Sequence, residues 1–167
     1  MYYRKTLPYS FSALEPYIDE PTMREHYEVH FAKYTDALNE AVKENNLDSN
    51  LPIKDLLKKH YEIKKIRNNG GGYYNHTLYF DNISPNPTPI TDDVRILIEK
   101  NFGTYDNFKE QFKKAGTEVF GSGWVWLLFQ DNKLKIAKTA NQDNPIMNSN
   151  FSDCKLLLGM DVWEHAY

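Results

Sequence analysis

Asp161-Val-Trp-Glu-His165 is the stretch around which the rest of this sequence is organised. Asp161 and His165 are four residues apart, so on a helical turn their side chains point the same way and can reach one ion. An isolated pair with this spacing is more often a helix cap beside a surface histidine. A metal site at this position therefore needs further ligands from earlier in the chain.

The first half of the chain has the pattern of an antiparallel helical hairpin. Asp19-Glu20-Pro21 is typical of a helix start, and the apolar spacing after it predicts a long helix to about Asn45. A second amphipathic helix is predicted over 53–67, after a polar loop. Residues 68–72, which end in three glycines, are expected to break that helix and to allow close backbone packing before an aromatic helical segment.

The second half of the chain changes to a mixed pattern. Three prolines within residues 81–90 predict a boundary between a domain of residues 1–85 and a domain of residues 86–167. The elements predicted beyond it are helices over about 92–101 and 104–120 and strands over about 124–129, 134–139 and 155–160. The fold class is therefore α+β, an N-terminal helical hairpin followed by a C-terminal domain with helices around a small three-stranded antiparallel sheet.

Composition narrows the classes of function. The chain has 167 residues, enough to bury a sizeable core, and its net charge of -3 gives no support for binding nucleic acid. No apolar run has the length of a membrane span or of a signal-peptide core, so we expect a cytoplasmic protein. The single cysteine excludes an internal disulfide and a cysteine-rich zinc site.

Two earlier histidines are candidates to complete a metal site. His26 lies on the predicted inward stripe of the first helix, and His76 lies in the aromatic segment after the glycines. With Asp161 and His165 they would supply three neutral imidazoles and one carboxylate, a set that suits manganese, iron or zinc rather than calcium or magnesium. A lone histidine on an apolar helical face is more often a core residue. Spacing alone therefore predicts a generic non-haem metal protein, with an iron oxygenase of the two-histidine, one-carboxylate type as an alternative.

Seven motifs follow one another along essentially the whole chain. They are Leu7-Pro-Tyr, Ala13-Leu-Glu-Pro16, His26-x-x-x-His30-x-x-x-Tyr34, Asn69-Gly-Gly-Gly-x-x-Asn-His76, Phe120-Gly-Ser-Gly-Trp-x-Trp-Leu127, Asn141-Gln-Asp143 and Asp161-Val-Trp-Glu-His-Ala-Tyr167. In this order they resemble the iron/manganese superoxide dismutases. The resemblance implies disproportionation of superoxide to dioxygen and hydrogen peroxide, by alternating trivalent and divalent metal coupled to proton uptake.

The resemblance also implies roles for individual residues. The implied metal ligands are His26, His76, Asp161 and His165, with a solvent molecule as fifth ligand. Tyr34 and His30 would line the proton route, and Gln142 would hydrogen-bond the bound solvent, with Trp124 and Trp163 as pocket walls.

One manganese ion per chain is preferred by the resemblance, with iron possible. The manganese type takes its outer glutamine from the segment that contains Gln142, whereas the iron type has that glutamine four residues before the second ligand, where this chain has Gly72. Manganese binds most weakly of the divalent series, so metal supply can override the preference.

A homodimer is implied too, because in relatives Glu164 reaches across a two-fold interface toward the partner's metal-ligand histidine. Relatives continue beyond Tyr167, so the resemblance implies an incomplete C-terminal domain and keeps a non-catalytic metal-binding fragment as an alternative. Val29 stands where relatives often have a lysine that steers the anion, which leaves Arg4, Lys33 and Arg67 as candidates for that role.

Overall fold

Helices make up the first half of the chain and an antiparallel sheet organises the second. The computed structural model describes residues 1–151 and 153–166. In these residues the helices are α1, which runs through Glu20–Arg24, π-helical Glu25–Phe31 and Ala32–Glu44; α2, Ile53–His60; α3, which joins π-helical Ile66–Gly70 to Gly71–Asn82; α4, Asp92–Phe102; and α5, Tyr105–Thr117. The strands are β1, Gly123–Gln130; β2, Lys133–Ala140; and β3, Lys155–Asp161. This architecture confirms the predicted α+β class.

Helices α1 and α3 pack side by side and run in opposite directions. Near the start of α1 the ring of His26 lies 5.1 Å from the ring of Phe80, and further along α1 the side chain of Leu38 contacts the backbone at Gly70. The predicted hairpin is therefore present, but its second arm is α3 and not the predicted helix over 53–67.

The predicted second helix is interrupted, because the chain turns at residues 61–63. Leu56 and Leu57 before the turn and Ile66 after it are all completely buried. Leu56 and Ile66 pack in one apolar cluster with Leu38 of α1. The turn places both segments against α1, a long-range packing preference that the helical periodicity of the sequence does not contain.

The three glycines lie inside α3, so the predicted break at this point is wrong. A Cβ atom on Gly71 would lie 2.1 Å from the backbone oxygen of Gln142, and one on Gly72 would lie 2.4 Å from the ring of Tyr34. The expected close packing is thus observed, but within a helix. Contact with two neighbouring elements outweighs the roughly 1 kcal/mol by which each glycine weakens a helix.

Residues 83–91 join the hairpin to the second domain without regular structure. The predicted boundary between residues 85 and 86 lies in this segment and stays a prediction. Thr104 is the N-cap residue of α5, and its side chain accepts a hydrogen bond from the backbone N–H of Asn107, as the sequence predicts. Helix α5 ends at Thr117, three residues before the predicted end.

Strand β1 is the centre of the sheet, in the order β2-β1-β3 with both pairs antiparallel. Its first six residues are buried, which confirms the prediction that both faces are covered. Trp124 and Trp126 face the helical hairpin, and their rings stack at 5.4 Å. Leu127 faces the other way, into a cluster with Phe108 of α5 and Ile98 of α4.

In the described part of the chain, none of the helices combines the length and the apolar character needed to cross a membrane.

Candidate metal centre

Four side chains from four separate elements meet between the hairpin and the sheet. They are His26 of α1, His76 of α3, Asp161 at the end of β3, and His165 in the short 3-10 turn Glu164–Ala166. Their ligand atoms all lie within 4.8 Å of one another. The structure thus brings together all four residues that the sequence analysis assigns to a metal.

Asp161 lies at the middle of this cluster. Its Oδ2 atom lies 3.2 Å from Nε2 of His26, 3.3 Å from Nε2 of His165 and 3.9 Å from Nε2 of His76. His26, His76 and Asp161 are almost completely buried, and the His165 side chain is 12% exposed. The site is therefore shielded from water on nearly every side.

The atoms that face the centre have no suitable partner within the described residues. Nε2 of the three histidines and Oδ2 of Asp161 are buried, and none makes a hydrogen bond of good geometry. Unpaired buried polar atoms are costly and uncommon. Four of them converging on one point fit a cation, and three imidazole nitrogens with one carboxylate oxygen suit a transition metal such as manganese or iron.

The opposite edges of the ligands are held by hydrogen bonds. Nδ1 of His76 lies 2.7 Å from the backbone oxygen of Gly72, and the backbone N–H of Trp163 donates to Oδ1 of Asp161 over 2.9 Å. A proton on Nδ1 leaves the lone pair of Nε2 directed at the centre. These contacts orient both ligands before any ion binds.

Burial also sets the protonation of the ligands. It lowers the pKa of His76 to about 3 and lowers the pKa of His26 as well. Burial would raise the pKa of Asp161, but the approach of His165 and His26 outweighs it, and the net shift is downward. Near pH 7 the imidazoles of His26 and His76 are therefore neutral and the carboxylate of Asp161 is ionised, the forms that bind a metal.

The geometry around Asp161 and His165 differs from the expected helical turn. Asp161 is the last residue of β3 and pairs with Trp124 across the sheet, while His165 lies in the turn that follows. The two side chains still point to one place because the chain bends at Trp163 and enters the short 3-10 turn that carries His165. The prediction of a shared helical turn is wrong, although the pairing itself is observed.

Both long helices are π-helical where they approach the cluster. His26 and His30 lie in the π-helical part of α1, and the π-helical part of α3 ends at Gly70, just before the glycines that contact Tyr34 and Gln142. Such wide turns are rare and often occur at functional sites. The regular spacing read from the sequence gave no signal of them.

Tyr34 and Gln142 lie beside the cluster and contact each other. The amide Nε2 of Gln142 donates to the phenol oxygen of Tyr34 over 3.1 Å, and the Tyr34 ring lies 5.2 Å from the ring of His76. Burial raises the pKa of Tyr34. The phenol therefore keeps its proton at neutral pH.

His30 lies between the cluster and the surface. Its ring stacks on the ring of His165 at 4.1 Å, and one third of its side chain is exposed. Burial and the nearby His165 lower the pKa of His30. A neutral, partly exposed imidazole in this position can exchange protons with water.

A cavity of about 690 Å³ opens beside Tyr34 and Gln142, with Trp163 as one wall. Of the three residues considered for steering, only Arg67 lines it, and its guanidinium is paired with Asp143. Arg4 instead donates to the backbone oxygen of Tyr27.

Aromatic rings enclose the cluster. Those of Phe31, Phe80 and Trp124 lie between 5.1 and 5.8 Å from a ligand imidazole, and Trp163 lies 5.6 Å from His165. The low dielectric constant of such walls strengthens charge interactions inside the site.

Sequence reasoning missed Asn75 as a functional residue. Its Nδ2 atom lies 3.1 Å from the backbone oxygen and 3.2 Å from the side-chain oxygen of Gln142, and the residue is completely buried. A polar residue next to His76 in an otherwise aromatic segment was the available signal.

Both halves of the chain match domains of one known family. Residues 1–84 match the alpha-hairpin domain, and residues 90–167 the C-terminal domain, of the iron/manganese superoxide dismutases. The chain belongs to this family. The resemblance seen in the sequence motifs is thereby confirmed.

Curated relatives extend the match over nearly all of the chain. A protein of Buchnera aphidicola subsp. Acyrthosiphon pisum named as a manganese superoxide dismutase is 43% identical over 173 residues, which cover 99% of this chain and 84% of the relative. A protein of Listeria innocua serovar 6a with the same name is 44% identical, and the match covers 96% of this chain and 81% of the relative. A manganese superoxide dismutase of Escherichia coli strain K12 is 40% identical, and the match covers 97% of this chain and 82% of the relative.

Proposed function

We propose that this superoxide dismutase family member is an active, manganese-dependent enzyme that converts two superoxide anions and two protons into dioxygen and hydrogen peroxide. His26, His76, Asp161 and His165 would hold one ion per chain, and iron is the second choice. The observation that carries the proposal is the convergence of four buried ligand atoms that have no other partner in the described part of the chain.

The donor set suits a one-electron reaction. When bound, a manganese or iron ion supplies reversible change between trivalent and divalent states. The chain contributes a single negative charge through Asp161, because burial keeps His76 neutral. Adding an electron to so enclosed a site is favourable only if a proton enters with it, since an uncompensated charge is costly at low dielectric constant.

Tyr34 and Gln142 provide for that proton. The Gln142 amide donates to the Tyr34 oxygen, which leaves the phenol proton free to point toward a substrate in the cavity. The raised pKa of Tyr34 keeps that proton in place until a strong base such as peroxide needs it. Exposed His30 connects the site with water and can resupply protons.

The preference for manganese rests on where the outer amide comes from. Gln142 reaches the site from the loop after β2, and position 72 has no room for a side chain because a Cβ there would lie 2.4 Å from the Tyr34 ring. The iron-type arrangement, with a glutamine at that position, is therefore sterically blocked. The manganese in the names of the relatives agrees with this choice.

Turnover is tested by loading the chain with manganese or iron and following superoxide decay after pulse radiolysis. We expect a decay rate far above that of the same amount of free metal ion. A rate equal to that of the free ion would favour a metal-binding protein without turnover. Elemental analysis of the protein as purified identifies the metal that it selects.

The ligand set is tested by substitution of single histidines. We expect His76→Ala to lose stoichiometric metal, because it removes one of four ligands and leaves Asp161 buried beside fewer partners. His60→Ala is the matched control, since His60 is the one histidine that neither belongs to the cluster nor stacks on a member of it, as His30 does. Full metal retention by His76→Ala would contradict the assignment.

A homodimer is proposed on the exposure of two side chains. The Phe120 ring is fully exposed and Glu164 is exposed. The segments that carry them are joined, because the N–H of Val162 donates to the backbone oxygen of Gly123. Exposed aromatic rings are enriched at interfaces between proteins.

Sedimentation equilibrium of the metal-loaded chain tests the dimer. We expect Phe120→Ser and Glu164→Ala each to shift the equilibrium toward monomer. Tyr17→Ser, which removes an equally exposed ring elsewhere, should leave it unchanged. A wild-type chain that is monomeric at high micromolar concentration would contradict the proposal.

A cytoplasmic location is also proposed, because no apolar run in the given sequence has the length of a membrane span or of a signal-peptide core. Fractionation of the source cells, with immunodetection of the chain, tests it. Recovery in a membrane or exported fraction would contradict it.

A further inference from the structure

Three buried amides form a chain of hydrogen bonds that ends at Tyr34. Asn144 donates to Oδ1 of Asn75 over 2.9 Å, Asn75 donates to Oε1 of Gln142 over 3.2 Å, and Gln142 donates to Tyr34 over 3.1 Å. Asn144 is 2% exposed, Asn75 is 0% exposed and Gln142 is 4% exposed. Each amide accepts through its oxygen and donates through its nitrogen, so the chain has a direction.

Two groups with a single possible role fix that direction. The indole Nε1–H of Trp124 can only donate, and it faces Oε1 of Gln142 at 3.1 Å. The backbone oxygen of Gln142 can only accept, and it faces Nδ2 of Asn75 at 3.1 Å. The side-chain oxygen of Asn75 must therefore point to Asn144, and Asn144 must supply a donor.

The other half of the Asn144 amide confirms which role is used. Its Oδ1 atom is buried and has no hydrogen-bond partner among the described residues. An unpaired buried oxygen lowers the stability of the fold, so the presence of an asparagine at this position indicates that its donating nitrogen is needed. Among the described residues, the only hydrogen bond of the Asn144 side chain is thus the one that it donates to Asn75.

The backbone on either side of Asn144 is held firmly. The backbone oxygen of Asn144 accepts from the N–H of Met147. At the preceding residue, the Asp143 carboxylate pairs with Arg67, and the backbone oxygen accepts from the hydroxyl of Thr139 over 2.6 Å. The Asn144 donor therefore has a defined position and can hold the amides that follow it.

We infer that Asn144 is a positioning residue for the proton-delivering pair, acting on Gln142 and Tyr34 through Asn75. Loss of its donor removes the hydrogen bond to Oδ1 of Asn75, so the Asn75 amide is held only through Nδ2, which is shared between the backbone oxygen and Oε1 of Gln142. The contact of Asn75 with Oε1 of Gln142 is then weakened. The Gln142 amide then no longer holds the Tyr34 oxygen in a single place. This inference rests on the proposed function only for its effect on turnover.

A pair of substitutions separates the donor from the volume of the side chain. Asn144→Leu keeps the branched shape and the number of side-chain heavy atoms, cannot donate and excludes water. Asn144→Ser loses volume but keeps a hydroxyl, which can donate directly or through a water in the vacated space. A packing role predicts that Ser is worse than Leu, and a donor role predicts the reverse.

The first measurement needs neither metal nor turnover. In the metal-free chain, the side-chain amide resonances of Gln142 and Asn75 are compared by NMR. We expect them to shift and exchange faster with water in Asn144→Leu, and to stay near their wild-type positions in Asn144→Ser. Unchanged resonances in Asn144→Leu would overturn the inference, whether or not the wild-type chain is an active dismutase.

The second measurement uses the manganese-loaded enzyme. We expect Asn144→Leu to lower kcat about tenfold, the effect of one net hydrogen bond, and to shift the midpoint potential of the metal. Asn144→Ser should stay within about twofold of the wild type. Asn148→Leu, an exposed position in the same segment, is the matched control and should change neither quantity.

Two outcomes of that measurement would overturn the inference. One is a serine variant as impaired as the leucine variant, and the other is a leucine variant with wild-type kcat and potential. Should Asn144→Leu not fold, Asn144→Val, which is smaller and equally unable to donate, takes its place. An inactive wild-type chain would refute the proposed function and leave the NMR result to decide the role of Asn144.

Discussion

The two faces of β1 cover two different interiors. Val125 and Leu127 face the helices of the second domain, where the cluster of Ile98, Phe108, Leu127 and Leu134 is entirely apolar. Trp124, which comes just before Val125 in the strand, faces buried histidines, amides and a carboxylate, and several of their polar atoms have no partner among the described residues. One face thus stabilises the fold, and the other uses part of that stability to hold a reactive site.

The largest expected effect is on the apolar face. Leu127→Ala removes a side chain that is 4% exposed and should lower the free energy of unfolding by about 3 kcal/mol. Because Leu127 faces away from the metal ligands, metal stoichiometry and turnover per folded chain should stay unchanged. Urea denaturation and elemental analysis measure both, and loss of metal from the folded variant would mean that the two faces are coupled.

A smaller effect is expected from added volume on the site face. Gly72→Ala places a Cβ 2.4 Å from the Tyr34 ring, so the ring must move and its hydrogen bond with Gln142 breaks. We expect a loss of about 2 kcal/mol in stability and a fall in kcat that Leu127→Ala does not cause.

Gly70→Ala is the control for that substitution. Its Cβ would meet only the ends of flexible side chains, of which the nearest is Leu57 at 3.0 Å. Thermal unfolding and superoxide decay should therefore change less than in Gly72→Ala. Equal effects of the two variants would indicate a general cost of side chains in α3.

Trp124→Phe tests the site face by the loss of a hydrogen-bond donor. The variant keeps an aromatic ring but loses the N–H that donates to Gln142, and we expect kcat to fall about tenfold with little loss of stability. Trp126→Phe loses a comparable hydrogen bond, to Thr139, and should leave kcat nearly unchanged. Similar kcat values for the two variants would argue against a role for the Trp124 contact.

The free energy of unfolding should also depend on pH, because of a titratable group on the site face. The pKa of His76 is lowered from 6.5 to about 3, so between these values the unfolded chain binds a proton that the folded chain refuses. The contribution of His76 to the free energy of unfolding of the metal-free chain is thus fully present above pH 6.5. It should fall by about 1 kcal/mol per pH unit as the pH is lowered toward 4.5.

Urea denaturation of the metal-free chain from pH 7.5 to 4.5 measures this dependence. His76→Gln, which cannot titrate, should have a clearly flatter profile. A wild-type profile without slope in this range would mean that His76 takes up a proton in the folded chain.

Prediction from the sequence succeeded where a short pattern carries the information. Period two from Trp124 to Phe129 identified the central strand, and the inward stripe of the first helix identified His26. It failed at residues 61–63 and 70–72, where packing on α1, Tyr34 and Gln142 decides whether the helix continues. It also placed Asp161 and His165 on one helical turn, although Asp161 ends a strand.

The sequence by itself determined which chemical groups are available and which faces of its helices and strands are apolar, because both depend on neighbours within a few residues. Only the tertiary structure decided which of those groups meet. The Tyr34–Gln142 contact spans 108 positions, and the Asn75–Asn144 contact spans 69. Contacts over such distances arise from how whole elements pack, and no local pattern in the chain encodes the direction of an amide at that range.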